Sequence, residues 1–112
     1  MRKGEIWWAS LPAPRGSEPG YRRPVIVVQS DAFTRSNIST VIVAVISSNL
    51  RLSAAPGNIL LKRKDSRLSR DSVINISQLI TLDKSYLTEK VSKLRSDLRT
   101  TLDDGLRLVL SL

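Results

Sequence analysis

Residues 24–47 read PVIVVQSDAFTRSNISTVIVAVIS, and the two ends of this stretch decide the fold. PVIVVQS (24–30) and TVIVAVIS (40–47) carry no charge and are rich in valine and isoleucine. β-Branched side chains are stiff at χ1 and pack well on a pleated surface, and runs this short do not make buried helices. Both are expected to be central strands covered on both faces. GEIWWASL (4–11) follows as a short aromatic strand, and GNILLK (57–62) as a strand after the turn signal APG. SVINISQLI (72–80) alternates, which predicts Ile74, Ile76 and Ile80 on one face and Asn75 and Ser77 on the other. EKVSKL (89–94) reads as a short edge strand. The last segment differs in kind. In SDLRTTLDDGLRLVLSL (96–112), Leu98, Leu102, Leu106 and Leu110 recur every fourth residue with Val109 beside them, the pattern of an amphipathic helix. Ser96 is its expected N-cap, and Gly105 costs it about 1 kcal/mol relative to alanine. The expectation is a mainly β (small α+β) fold: one domain over residues 1–112, a curved sheet or barrel closed by a C-terminal helix.

A chain of 112 residues can bury a real core without staples. It has no cysteine and no histidine, which excludes disulfides, structural zinc and histidine acid–base catalysis. MRKGEIWWASLP lacks the apolar run of a signal peptide, and no apolar run is long enough to span a bilayer. A cytoplasmic protein away from membranes is expected. The net charge is +8 and unevenly spread. Residues 1–23 hold five basic and two acidic residues, and residues 51–70 hold six basic residues and only Asp65. Residues 24–50 and 71–112 balance. Two clusters that can share one face suit a polyanion, most simply nucleic acid.

The acidic residues do not cluster as a two-metal nuclease requires, and no P-loop is present. RNA, however, carries its own nucleophile in the 2′-hydroxyl. Cleaving it requires a proton acceptor, cationic donors for the growing phosphorane charge, and a group that protects the leaving 5′-oxygen. Arginine donates two hydrogen bonds to phosphate in a planar fork but is a poor base. A glutamate becomes a base when burial raises its pKa. A serine hydroxyl at a strand end can orient a non-bridging oxygen. Glu18, Arg23 and Ser47 supply these types, and antiparallel pairing would bring Arg23, at the start of PVIVV, beside Ser47, at the end of TVIVAVI.

Taken together, GEIWWASL, GSEPGYRRPVIVVQSD, TVIVAVISSNL, RDSVINISQLITLDK and LTEKVSKL resemble the MazF/PemK family of bacterial toxin endoribonucleases, in collinear order over nearly the whole chain. The resemblance implies an SH3-like, CcdB/PemK-like β-barrel with a C-terminal helix, acting as a homodimer. It implies metal-independent cleavage of single-stranded RNA to 2′,3′-cyclic phosphate and 5′-hydroxyl ends, without a cofactor. It also implies a MazE-like antitoxin, with operator DNA bound only through the antitoxin complex. The family's catalytic arginine precedes the proline of its RPV motif, which places the role on Arg23 rather than Arg22. Its catalytic threonine is here Ser47, which keeps the hydroxyl and loses the methyl. The GSE of the first loop matches Ser17 and Glu18, and the DSV and Q of the fifth strand match Ser72 and Gln78. Ser30 stands where many relatives have asparagine. Specificity is expected in loops 12–23, 31–39 and 48–57. The candidate RNA-binding set is Arg15, Ser17, Arg22, Ser30, Asn49, Arg51, Pro56, Ser72, Ser77 and Gln78.

Two other classes fit parts of the sequence. A CcdB-type gyrase poison shares the expected fold, but that family uses a tryptophan-containing C-terminus where this chain ends LRLVLSL. A non-catalytic SH3-like RNA-binding module accounts for the charge and leaves Glu18, Arg23 and Ser47 without a role. Trp7 and Trp8 point to opposite faces of one strand, so both cannot enter the same core.

Overall fold

The computed structural model of the chain describes residues 1–11, 16 and 21–112. Among the described residues six strands are present: β1 (Glu5–Leu11), β2 (Tyr21–Val27), β3 (Thr40–Ser47), β4 (Ile59–Leu61), β5 (Ser72–Asp83) and β6 (Leu87–Lys93). They form one antiparallel sheet in the order β4-β5-β3-β2-β1-β6. Two single-turn helices, α1 (Asp31–Thr34) and α2 (Arg63–Ser66), lie in the connections, and α3 (Ser96–Leu110) closes the chain. The sheet curls into an open half-barrel, with β4 and β6 as its edges. The two valine-rich strands are central, as expected.

Curling gives the sheet two cores. Ile6, Ile26, Ala44, Ile46, Ile74, Ile76 and Leu102 build the first, beneath α3. Ala9, Leu11, Val25, Val27, Val41, Val43, Leu82 and Leu87 build the second, on the opposite side of the same strands. Residues of one parity in β2 and β3 serve one core and those of the other parity serve the other. A single chain therefore covers both faces of its central strands. Trp7 leans on the second core and Trp8 on the first, each half-buried.

The alternation predicted for residues 72–80 breaks inside β5. Ala44 pairs with Leu79 and its neighbour Val45 with Asn75, which leaves residues 76–78 as an insertion of three. An odd insertion reverses the parity of everything beyond it. Ile74 and Ile76 belong to the first core, whereas Ile80 and Leu82 face the second. Asn75, expected on a polar face, is buried. Polar side chains hold the bulge: Asn58 accepts from the Ile76 N–H at 2.9 Å, and Asn75 donates to Gln78 at 3.1 Å and accepts from Ser77 at 2.8 Å.

Helix α3 begins at Ser96, but Arg95 is its N-cap residue and makes no side-chain cap bond. Leu102 and Gly105 form its buried stripe, with Leu98 and Leu106 half-buried beside them. Val109 and Leu110, expected on the core face, are exposed. Gly105 explains its own presence. A Cβ there would lie 2.6 Å from the carbonyl oxygen of Gly57, and Gly57 itself has a φ of +79°. The two glycines let the helix backbone rest on the loop before β4.

One carboxylate ties the first strand to the last. Glu5 is buried and accepts from the Arg2 N–H at 3.0 Å and the Trp7 indole at 3.1 Å, with Lys90 at 3.0 Å from its other oxygen. Burial alone would raise its pKa, but the bonds from Lys90, Trp7 and Arg2 outweigh this and hold it below the usual glutamate value. A depressed carboxylate pKa contributes stability at neutral pH that is lost as the pH falls through the folded-state value. Glu5→Gln should therefore cost about 1–2 kcal/mol at pH 7, and the cost should shrink as the pH falls into the acid range. Urea melts of both proteins at neutral and acid pH measure this. An equal cost at both would contradict it.

Candidate nucleic-acid site

The β2–β3 ladder pairs Val25 with Val45, Ile26 with Ala44 and Val27 with Val43. Two residues further along the same register, Arg23 comes opposite Ser47, on the face shared by Val25, Val27, Val41 and Val43. The paired rungs stop at Val25, just after Pro24, which has no N–H to donate. Beyond that rung β2 stays paired only with β1, where Arg23 faces Ala9, and β3 only with β5, where Ser47 faces Val73. The strand ends part there. Arg23 and Ser47 are both half-buried at this opening. Ser47 Oγ accepts from the Asn49 N–H at 3.1 Å, which fixes the oxygen and leaves its proton available to a phosphate.

The opposite face of the same opening is a depression of about 350 Å³ lined by Trp8, Tyr21, Arg22, Arg23, Arg70 and Ser72, among others. The Arg22 guanidinium lies 4.2 Å from the centre of the Trp8 ring and bonds Glu89 at 3.1 Å. Both partners of that ion pair are more than half exposed, so it contributes little energy. The indole face and the carboxylate together still fix where the guanidinium points. Tyr21, at the mouth, is exposed and has a φ of +60°, a left-handed backbone that costs about 1–2 kcal/mol outside glycine.

The remaining candidates divide. Asn49, Arg51 and Pro56 are exposed in the connection that follows Ser47, where the Asn49 side chain accepts from the Arg51 N–H and opens a 3-10 turn over Leu50–Ala54. Ser77 and Gln78 lie in the β5 bulge and are linked to this turn through Asn75 and Asn58, whose amide donates to the Leu52 carbonyl at 2.9 Å. Ser72 is buried and donates to the Arg70 carbonyl. Ser30 is not brought to this group. It follows the far end of β2 and lines a separate apolar groove with Phe33, Ile38, Leu106 and Leu110. Arg15, Ser17 and Glu18 lie outside the described residues. Among the described residues, no cluster of three or more carboxylates gathers to hold a metal, and no helix is long and apolar enough to cross a membrane.

Sequence reasoning passed over Arg70, which entered only as one charge in a basic segment. Its signal was its place directly before the DSV that opens β5. The Trp8–Arg22–Glu89 stack was missed because it joins three strands.

The family description "PemK-like, MazF-like toxin of type II toxin-antitoxin system" matches residues 2–110. The chain belongs to this family. It is 48% identical over 112 residues to "Endoribonuclease MazF6" of Mycobacterium tuberculosis, covering all of this chain and 98% of that protein. Solved structures share the fold. A mycobacterial "Endoribonuclease in complex with its cognate antitoxin" superposes with a TM-score of 0.80 at 17% identity, over all of this chain and 96% of that one. MazF from Deinococcus radiodurans superposes with a TM-score of 0.80 at 19% identity, over all of this chain and 97% of its own. Of the classes considered from sequence, the toxin endoribonuclease is the one to which this MazF-type chain belongs.

Proposed function

We propose that the chain is the toxin of a toxin–antitoxin pair and cleaves single-stranded RNA by attack of the RNA's own 2′-hydroxyl, leaving a 2′,3′-cyclic phosphate and a 5′-hydroxyl. The observation that supports the reading is the β2–β3 register, which, carried two residues past its last pair, Val25 and Val45, brings Arg23 across from Ser47. In this reading Arg23 donates two hydrogen bonds to the phosphate as charge grows on it and shields the leaving oxygen. Ser47 directs its proton to a non-bridging oxygen, and Glu18 accepts the 2′-proton. Arg15, Ser17, Arg22, Asn49, Arg51, Pro56, Ser72, Ser77 and Gln78 hold the RNA around the cut. Residues 1–112 act as one domain, in the cytoplasm, held in check by a MazE-like antitoxin that also mediates contact with operator DNA.

The active form is a homodimer. The apolar groove of about 600 Å³ beside α3, with Phe33, Ile38, Leu110 and Leu112 exposed around it, supports a second copy seated there. Ser30 would then act at a surface that both copies build.

The test is a long RNA incubated with pure protein in excess EDTA. Cleavage should persist, its products should carry cyclic phosphate, and a 2′-deoxy nucleotide on the 5′ side of the cut should abolish it. Activity that dies in EDTA and returns with magnesium would overturn the mechanism.

A further inference from the structure

The depression holding Arg22 continues past Ser48, Ser69 and Arg70 into a shallower one that adds Leu50, Arg63 and Asp71. The two share three residues, so they form one trench, running from the opening at Arg23 over the connection between α2 and β5. Its lining offers serine hydroxyls from Ser48, Ser69 and Ser72 and guanidinium groups from Arg63 and Arg70. Among the described residues, Arg22, Arg95 and Arg107 have carboxylate partners, whereas the guanidinium groups of Arg63 and Arg70 have none. Their backbones are nonetheless anchored. The Arg63 N–H donates to Asp71 at 2.9 Å, and the Arg70 carbonyl accepts from Ser72 at 3.2 Å. Unpaired guanidinium groups on a pinned backbone, beside a groove, are placed to meet phosphate.

We infer that Arg70 and Arg63 form a phosphate-binding subsite for the RNA strand flanking the cut, with the exposed ring of Tyr21 at its mouth as a stacking platform for one base. The inference rests on the RNA-cleaving function proposed above and assigns a path to the strand beyond the scissile phosphate. These arginines act in binding and not in the chemical step. α2 offers an internal control. Lys64 follows Arg63 in the sequence but lines a different depression with Asp65, Lys90 and Arg95. Removing it deletes the same charge outside the trench.

The experiment measures affinity against salt for a single-stranded RNA carrying the mapped cleavage sequence, made uncleavable by a 2′-deoxy at the cut. Arg70→Ala and Arg63→Ala should each weaken binding on the order of fivefold. Each should also lower the slope of log affinity against log salt by about 0.7, the share of one single-strand phosphate contact. Arg70→Lys should recover most of that slope, and Lys64→Ala should leave both quantities within about twofold of wild type. Single-turnover cleavage of the normal RNA at saturation should be unchanged in all four. Wild-type affinity in the arginine variants would overturn the subsite, as would an equal loss in Lys64→Ala, which would mean diffuse attraction. A drop in the saturating rate would move the arginines into the catalytic centre and equally overturn it. The two proposals fail separately: wild-type protein that neither binds nor cuts RNA removes the function itself, whereas cutting with unaffected arginine variants removes only the trench.

Discussion

Arg23→Ala should slow single-turnover cleavage at saturating RNA by about 10²–10³-fold, the usual loss for one preorganised donor aimed at developing charge. The loss should fall on the chemical step and not on affinity, because charge on the phosphate grows only as the 2′-oxygen attacks. Arg23→Lys keeps the charge and forfeits the two-pronged geometry, so it should fail nearly as badly. Ser47→Ala should be impaired and Ser47→Thr active, since the proposed mechanism uses only the hydroxyl. Arg22→Ala is the internal comparison. Arg22 points to the Trp8 face, away from Ser47, and should lose affinity while keeping the saturating rate. If Arg22→Ala lost the rate and Arg23→Ala kept it, the register argument would be wrong by one residue.

Gly105→Ala should destabilise the protein by about 1–3 kcal/mol, as small-to-large changes in packed sites do. The sign opposes helix propensity, which favours alanine by about 1 kcal/mol. Packing decides because the added methyl would sit 2.6 Å from the Gly57 oxygen, which belongs to backbone and cannot swing aside. Gly105→Val should cost more. The strain should also reach the site: Gly57 adjoins Asn58, which holds the β5 bulge and the turn after Ser47. Chemical denaturation of the three proteins tests this, and an alanine variant as stable as wild type would contradict it.

The central strands were legible because an uncharged valine- and isoleucine-rich run has few other fates. That the ends of β2 and β3 carrying Arg23 and Ser47 lie side by side was legible for a related reason, since two such runs pair as antiparallel neighbours, whereas the choice of Arg23 over Arg22 came from the resemblance. The β5 bulge was not legible. Asn75 and Ser77 read as the polar half of an alternation, and only the three-dimensional register shows that Asn75 is buried and that its side chain bonds Ser77, Gln78 and Asn58. The exposure of Val109 and Leu110 was hidden for a different reason. An apolar stripe states that a helix has something to cover, not that its own chain covers all of it. Ser30 shows the same limit from the other side: its place in the sequence does not state that it lines a groove apart from Arg23.

The odd insertion in β5 has a consequence for how the molecule comes apart. β5 serves both cores, with Ile74, Ile76 and Leu79 against the first and Ile80 and Leu82 against the second, so neither core has a wall of its own that can melt alone. The opening at Arg23 stands where β3 passes beside the start of β5. Loosening that opening by partial unfolding therefore means releasing a strand shared by both cores, so the two cores should open together.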